Sequence, residues 1–327
     1  MAHRTFAATV LAGLVSICPA AASEIVVTHW SALLYGAPYA VAQEKGYFQE
    51  EGVKLDGILS SKGGGTSVRN LMAGETLFAE VALPAALAAI KEGFPIKIIS
   101  GGTEGSASFW VSRENDKFEK PADLKGKRFA FSRPKSVSES GVLAALKSHN
   151  IPPDQVKMVA AGDIGAGITA LEHNQVDVAT LPEPIYSTKT KQGMRYHKMN
   201  WFSEKVPPST QTVGVATLEN IQKRDAELRA VIRARQRGVD FIYANPEEAS
   251  KLIAKAYNMS PELMLSAMKG TMELAPKWWS RGELNYSNMN NAAEGLASVD
   301  LLKLPVDWKA VATESLLPAD LRKEAGR

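Results

Sequence analysis

The first residues of this sequence that suggest a chemistry are the three glycines at 63–65 and Thr66, which follows them directly. Glycines let the backbone approach an anion closely, and a helix that begins there offers free N–H groups and the positive end of its dipole. Thr66 has a side chain that suits capping that helix or contacting a ligand. Because the run lacks the Gly-Lys-Ser/Thr ending of a phosphate-binding loop, it does not predict an NTPase, and a plain flexible turn is the alternative.

A second polar loop, Ser132–Ser138, reads Ser-Arg-Pro-Lys-Ser-Val-Ser. Arg133 and Lys135 carry charges that attract a carboxylate or a sulfonate, Arg133 through a bidentate pair, and solvent exposure is the alternative for both. Ser136 and Glu139 have the spacing of a capping box. The serines of this loop therefore either contact a ligand or only cap a helix.

Aromatic and acidic side chains follow other predicted strands. Trp30 and Tyr35 follow the first strand and would offer ring faces to a ligand, and the alternative is that Trp30 packs beneath the loop as core. Leu83 and Pro84 end the third strand beside the N-terminus of the next helix. Glu183 follows a later strand, where a carboxylate favours a cationic or hydrogen-bond-donating ligand, or an ion pair at a hinge.

The motifs of common hydrolases are missing from the sequence. It has five histidines, and none belongs to a His-Glu-x-x-His motif; Cys-x-x-Cys and Gly-x-Ser-x-Gly do not occur either. We therefore expect no catalytic residue, no bound metal and no cofactor.

Residues 1–23 have the order of a secretory signal peptide: Arg4, then an apolar run at 6–17, then small residues. The run is too short to cross a bilayer, and an N-terminal membrane anchor is the alternative. Cleavage before Ser23 or Glu24 would remove Cys18, the sole cysteine. The mature chain is thus expected to be exported, soluble and free of disulfides.

The charged residues do not predict a nucleic-acid partner, because 38 Lys and Arg and 35 Asp and Glu are spread along the chain. The one basic run, Arg229–Arg237, alternates with apolar residues at helical spacing. It predicts a solvated helix face.

The elements that must position these residues alternate between strands and helices, which predicts α/β folding with mostly parallel sheets flanked by helices. Predicted strands are 25–29, 53–60, 80–83, 96–100, 128–132, 156–160 and 176–181. Predicted helices between them are 38–45, 66–73, 84–92, 137–149 and 166–174, followed by helices at 218–243, 246–257, 261–272 and 286–299. Two sheet-building series followed by a helical tail favour two lobes over one large sheet.

Several short motifs, in this order and spacing, resemble one family. They are His29-Trp30, Tyr35-Gly36-Ala37-Pro38-Tyr39, Glu44-Lys45-Gly46-Tyr47-Phe48, Gly63-Gly64-Gly65-Thr66, Met72-Ala73-Gly74-Glu75, Asp123-Leu124-Lys125-Gly126-Lys127, Gln175-Val176-Asp177-Val178-Ala179 and Glu183-Pro184. The chain is similar to the periplasmic substrate-binding proteins of ABC transporters, in the nitrate, sulfonate and taurine branch that also contains binders of thiamin precursors.

The resemblance implies a two-lobe clamp of the type II periplasmic-binding-protein fold. Residues 24–107 would form the first part of lobe I, 108–213 lobe II, and 214–327 the second part of lobe I with the helical tail. Its partners would be a small-molecule ligand and the permease subunits in the membrane, with the protein itself a monomer. A sensing module of a membrane receptor is an alternative, whereas relatives that are enzymes fit poorly, since the pyrimidine synthase needs cysteines and the dehydratase is cytoplasmic.

Together these observations predict hinge closure on an anionic organic ligand, such as an aromatic carboxylate or a sulfonate, with a pyrimidine thiamin precursor as the alternative. The residues expected to line its site are Trp30, Tyr35, Lys62, Gly64, Gly65, Thr66, Leu83, Pro84, Ser132, Arg133, Ser136, Ser138 and Glu183.

Overall fold

A computed structural model describes residues 23–74, 76–105, 109–297 and 302–323. The predicted signal peptide lies outside these ranges, except for Ser23. None of the described helices is long and apolar enough to cross a membrane.

Ten strands and fourteen α-helices make up the described part of the chain. The strands are β1 (Ser23–Thr28), β2 (Leu55–Ser61), β3 (Thr76–Ala82), β4 (Ile96–Gly101), β5 (Trp110–Arg113), β6 (Arg128–Phe131), β7 (Lys157–Ala160), β8 (Ala179–Thr180), β9 (Tyr196–Lys198) and β10 (Thr212–Thr217). The helices are α1 (Ala37–Glu44), α2 (Tyr47–Glu50), α3 (Gly64–Met72), α4 (Leu83–Lys91), α5 (Val137–Ser148), α6 (Ile164–Glu172), α7 (Ile185–Lys191), α8 (Asn200–Glu204), α9 (Leu218–Lys223), α10 (Asp225–Ala244), α11 (Pro246–Tyr257), α12 (Pro261–Leu274), α13 (Tyr286–Ala297) and α14 (Trp308–Val311).

The largest sheet has the strand order β2-β1-β3-β10-β4. Strands β1, β2 and β3 are parallel to one another, and β10 is antiparallel to both of its neighbours, β3 and β4. Four of the five strands therefore run the same way, as the alternation of strands and helices predicted. Strand β10 runs in reverse because the chain enters it on returning from the segment between β4 and β10, and the local pattern of the sequence does not encode this return. We call that segment the intervening segment.

The intervening segment forms a second sheet with the same plan. Strands β6 and β7 are parallel, and a bridge between Phe129 and Val178 connects them to β8. Strand β5 is antiparallel to both β8 and β9. Each sheet thus has four strands in one direction and one that runs in reverse, and the α/β architecture is as predicted.

Two chain segments cross between the sheets side by side. The Gln211 N–H donates to the Thr103 carbonyl at 2.8 Å, and the Gly105 N–H donates to the Ser209 carbonyl at 2.8 Å. A paired crossing of this kind is a natural place for a hinge. The lobe boundaries at 107/108 and 213/214 stay a prediction, and the first of them lies in the undescribed residues 106–108.

The helical tail packs through apolar faces. Helix α10 buries Leu228, Val231, Ile232 and Val239. The adjacent tryptophans of the tail belong to the core, because Trp278 is 6% exposed and Trp279 is 1% exposed.

Two expectations about residues 218–243 were wrong: that they form one continuous helix, and that the basic run within them forms a solvated helix face. The predicted helix 218–243 is broken at Arg224, whose φ of −126° and ψ of 31° leave the helical region. Arg235 is not on a solvated face: it is 1% exposed, because it lies four residues after Val231 and so shares the apolar stripe of α10. Arg229 and Arg233 do pair with carboxylates at or near the surface, as predicted.

Candidate functional site

A narrow cavity lies between the two sheets, where strands β1 and β3 end and helices α3, α5 and α6 begin. Its volume is about 30 Å³, which is room for one or two water molecules. Its walls come from both predicted lobes: Thr28, His29, Leu33, Tyr35, Gly63, Gly64, Ala82, Ser132, Ser136, Val137, Ser138, Ile164, Thr180, Pro182 and Thr212. Binding at the carboxyl ends of strands is the general rule for α/β sheets.

The hydroxyls on the β1 side of the cavity are fully used within the protein. Thr28 Oγ1 donates to the Glu80 carbonyl at 2.9 Å and lies 2.7 Å from Ser67 Oγ. Ser67 Oγ lies 2.6 Å from Ser61 Oγ, which donates to the Gly63 carbonyl at 3.2 Å. Four contacts thus compete for three hydroxyl hydrogens, so this wall is rigid and has no hydroxyl donor left for a ligand.

Behind this wall Glu80 and Arg235 form a buried ion pair, with 3.2 Å between Arg235 Nε and Glu80 Oε2. The Glu80 carboxylate also accepts from the Tyr39 hydroxyl at 2.7 Å and from the Thr212 hydroxyl at 2.7 Å. Burial and the nearby Glu80 charge raise the pKa of Tyr39 well above its usual value. Arg235 donates to the backbone carbonyls of Ser280 and Gly102 as well, so every charged group is satisfied.

Three serines of the second lobe form a hydroxyl cluster on the opposite wall, which we call the serine triplet: Ser132, Ser136 and Ser138. Ser138 Oγ lies 3.0 Å from both Ser132 Oγ and Ser136 Oγ, and it accepts from the Ser132 N–H at 2.9 Å. Two mutual contacts use two of the three hydroxyl hydrogens, so one remains to donate into the cavity. Ser136 also caps α5, since its Oγ accepts from the Glu139 N–H at 3.2 Å, as the capping-box spacing predicted.

The glycine run forms the first turn of α3, with Gly63 as the N-cap residue and no side-chain cap. A Cβ on Gly64 would lie 2.6 Å from the Ala85 Cβ, which makes this glycine necessary for the approach of α3 to α4. Gly65 has open space around it, with its nearest neighbour, an Arg69 nitrogen, at 3.8 Å. Of the two roles expected for Thr66, capping the helix is wrong, because α3 begins two residues earlier and Thr66 Oγ1 accepts from Arg69 instead. Neither Gly65 nor Thr66 is among the residues that line the cavity.

The two predicted ring faces lie in different places. Tyr35 lines the cavity and stacks on Trp278 with 5.5 Å between ring centroids. Burial raises the pKa of Tyr35, so its hydroxyl stays protonated and able to donate. Trp30 packs edge-on against Tyr257 at 5.4 Å and is not among the residues that line the cavity.

Thr180 and His29 are cavity-lining residues that sequence reasoning overlooked. Among the described residues neither side chain has a hydrogen-bond partner, and Thr180 is 5% exposed. Burial lowers the pKa of His29 to about 4, the Asp163 carboxylate partly offsets this, and the Arg133 guanidinium adds to it. The available signal for both was their position at the end of a predicted strand.

The three cations predicted to attract an anion do not line the cavity. Lys62 is exposed. Arg133 Nε donates to the Gly162 carbonyl at 2.6 Å. Lys135 Nζ pairs at 2.5 Å with Glu92, which follows the last residue of α4. The lining therefore presents uncharged donors: the Tyr35 and Thr180 hydroxyls, the spare hydrogen of the serine triplet, and helix N-termini.

The remaining predicted site residues, Leu83, Pro84 and Glu183, are not among those that line this cavity. Leu83 and Pro84 begin α4 and are buried. Glu183 is 7% exposed, and its two carboxylate oxygens accept from the N–H and the hydroxyl of Ser187. Burial raises its pKa, and the Ser187 hydrogen bonds oppose that rise. Glu183 has no ion pair among the described residues, so the alternative of a hinge ion pair is not seen there.

The crossing segments hold a second buried carboxylate, Glu104, which is 9% exposed. It accepts from the Thr210 hydroxyl on the other crossing segment at 2.9 Å and from the Asn288 amide at 2.8 Å. Burial raises its pKa to about 7, and these hydrogen bonds limit the rise; Glu283 raises it further and Lys323 lowers it. A hinge carboxylate that titrates near neutral pH was not foreseen from the sequence.

Comparison with known proteins gives one family match and several structural ones. The sequence model described as NMT1/THI5 like matches residues 34–249, more than half of the chain. The chain is similar to the alkanesulfonate-binding protein SsuA from Xanthomonas axonopodis pv. citri bound to MOPS, at 15% identity and a TM-score of 0.73, covering 90% of this chain and 98% of that one. It is also similar to the periplasmic nitrate-binding protein NrtA from Synechocystis PCC 6803, at 15% identity and a TM-score of 0.70, covering 94% and 92%.

An enzyme also shares the fold. The desulfurization enzyme DSZB matches at 14% identity with a TM-score of 0.57, covering 90% of this chain and 97% of that one. No curated protein sequence matches this chain. The structural matches thus establish the fold of the solute-binding proteins of ABC importers. Because one fold can serve several functions, the function has to be inferred from the cavity.

Proposed function

The chain belongs to the NMT1/THI5-like family, and we propose that it is the periplasmic solute-binding component of an ABC importer. In this proposal the two lobes close over one small organic molecule and deliver it unaltered to the permease subunits in the membrane. The observation that carries the proposal is the cavity itself, whose walls come from both lobes and meet where three helices begin.

The lining supports binding rather than a reaction. Its one histidine, His29, is uncharged near neutral pH, and no carboxylate, cysteine or lysine lines the cavity within the part of the chain that the structure describes. Nucleophilic catalysis needs a nucleophile next to a base that is itself oriented by a third group. The serine triplet is instead bonded to itself and to the start of α5.

We further propose that the ligand has a compact anionic head group. A volume of about 30 Å³ is well below the roughly 150 Å³ of a cavity that binds benzene, so an aromatic ring would require the lobes to stand wider apart. Helix N-termini and neutral hydroxyls hold an anion without a counter-charge. These groups take the place of Lys62, Arg133 and Lys135, which do not line the cavity, in attracting an anion.

An uncharged pyrimidine is the second candidate. The observation in its favour is that the lining offers neutral donors and one aromatic face, Tyr35, without any cation. Such a ligand would exchange hydrogen bonds with the same donors and would not depend on the dipoles of the helices.

A ligand panel measured by thermal unfolding separates these candidates. Binding to the folded state at 100 times the dissociation constant adds about 2.7 kcal/mol of stability, which for a chain of this size raises the melting midpoint by roughly 4 °C. The proposal expects sulfonates or small carboxylates to raise the midpoint and to be recovered with unchanged mass. A midpoint raised by uracil alone would favour the pyrimidine, and chemical conversion of any bound compound would refute the transport role.

A further inference from the structure

His29 occupies an unusual place at the end of β1. Its backbone is in the left-handed region, with a φ of 56°, a conformation that is uncommon for residues other than Gly, although Asn, Asp and His adopt it more often than the rest. Its N–H donates to the Ser61 carbonyl at 2.8 Å, so the conformation is held by the neighbouring strand. This turn brings His29 into the lining of the cavity.

The charged groups that face His29 come from the opposite lobe, and both are engaged elsewhere. Arg133 donates to the Gly162 carbonyl at 2.6 Å. Asp163 caps α6 by accepting from the Ala166 N–H at 2.7 Å. The imidazole has no hydrogen-bond partner among the described residues, so its ring nitrogens are open to whatever fills the cavity.

We propose that His29 reads the charge of the ligand: near pH 5, binding of an anion is accompanied by uptake of a proton from solvent, and that proton resides on the His29 imidazole. Without an anion the ring is neutral, because burial disfavours its charged form. An anion in the same narrow cavity favours the imidazolium through a charge-assisted hydrogen bond. An uncharged ligand provides no such compensation and binds without proton uptake.

The inference rests on the proposed function and adds a coupling between ligand charge and pH. The pKa of the free His29 is lowered to about 4. If a bound anion raises it by about two units, linkage makes anion binding roughly tenfold tighter at pH 5 than at pH 8. Tyr35 does not mimic this response, because burial raises its pKa and its hydroxyl stays protonated over that range.

The test uses methanesulfonate and benzenesulfonate, which remain charged at every pH of interest, and uracil as the uncharged probe. The dissociation constants are measured at pH 5 and pH 8 by calorimetry in two buffers of different ionisation enthalpy, which also reports proton uptake. His29→Asn keeps a residue that tolerates the left-handed backbone and should abolish the pH dependence of sulfonate binding. His173→Asn, at an exposed histidine at the end of α6, should behave as the native protein.

Several outcomes would overturn the inference. Proton resonances of His29 that titrate near pH 6.5 in the ligand-free protein would overturn it, because the free imidazole would then not have a lowered pKa. Sulfonate binding with no proton uptake, or with the same pH response in His29→Asn, would do so as well. If neither sulfonate binds while uracil does, the charge-reading role is wrong and the solute-binding proposal survives.

Discussion

Glu80 of β3 and Arg235 of α10 lie 155 positions apart in the sequence and form an ion pair in which both side chains are at most 2% exposed. Glu80 also accepts from the hydroxyl of Thr212, and its carbonyl accepts from that of Thr28, and both threonines line the cavity. The tail helix thus reaches through the core to the wall of the proposed site. Stability and binding are therefore linked through one charged network.

Removing the buried arginine should be costly. Arg235→Ala leaves Glu80 as an uncompensated buried charge, which typically lowers the free energy of unfolding by about 3–5 kcal/mol. Arg233→Ala is the matched control on the same helix, since the Arg233 side chain is 42% exposed in its pair with Glu51, and such pairs contribute about 1 kcal/mol or less. Urea unfolding measures both, and equal losses in the two variants would contradict the network.

The two glycines at the start of α3 should respond in opposite directions. Gly64→Ala would push a methyl group to within 2.6 Å of Ala85, and overpacking of this kind costs about 1–3 kcal/mol and would displace the cavity wall. Gly65→Ala meets open space and should stabilise the protein by about 0.4–1 kcal/mol through the unfolded state. Thermal unfolding compares them, and a destabilised Gly65→Ala variant would show that the helix start is misassigned.

Stability should depend on pH through Glu104. Because burial raises its folded-state pKa to about 7, the folded protein holds this proton at pH values where the unfolded chain has lost it. The contribution is fully present below about pH 4.5 and is lost as the pH rises to 7, roughly 3 kcal/mol in total. Glu104→Gln keeps the shape without the charge and should flatten this slope, which denaturant unfolding between pH 4.5 and 8 measures. An unchanged slope in the variant would assign the pH dependence elsewhere.

Ligand affinity should depend on the serine triplet. Ser138→Ala removes the link between Ser132 and Ser136 and leaves the Ser132 N–H without its acceptor, so we expect about tenfold weaker binding. Ser148→Ala, at the other end of α5, removes a hydroxyl that bonds to the Ala145 carbonyl and should leave affinity unchanged. Calorimetry with the strongest binder of the panel distinguishes them, and similar affinities for both variants would argue against the triplet as a binding wall.

Much of the fold could be predicted because its elements are local. Strand and helix periodicity, the Ser136 cap and the apolar stripe of α10 are readable from neighbouring residues. The reversed directions of β5 and β10 could not be predicted in this way, since the direction of a strand depends on the side of the sheet from which the chain re-enters it. The break at Arg224 was missed for a related reason, as an uninterrupted helical pattern hides a single non-helical residue.

The location of the candidate site could be predicted from the sequence, but most of the contacts of its side chains could not. Tyr35, Gly64 and the serine triplet line the cavity, since strand ends and helix starts are visible in the pattern. The predicted ligand contacts of the charged residues were wrong, because Arg133 donates to the Gly162 carbonyl and Lys135 pairs with Glu92. Both partners are distant in sequence, so the local pattern does not reveal them. Arg235 was read as part of a basic run although its spacing from Val231 placed it on the buried face.

Closure is the central claim, and small-angle X-ray scattering tests it most directly. In the structure the lobes touch through Lys135 and Glu92 and through Arg133, whose side chain would lie 3.3 Å from a Cβ on Gly63. We predict a smaller radius of gyration with a saturating binder from the panel than without ligand. Superimposable profiles with and without a saturating binder would contradict it.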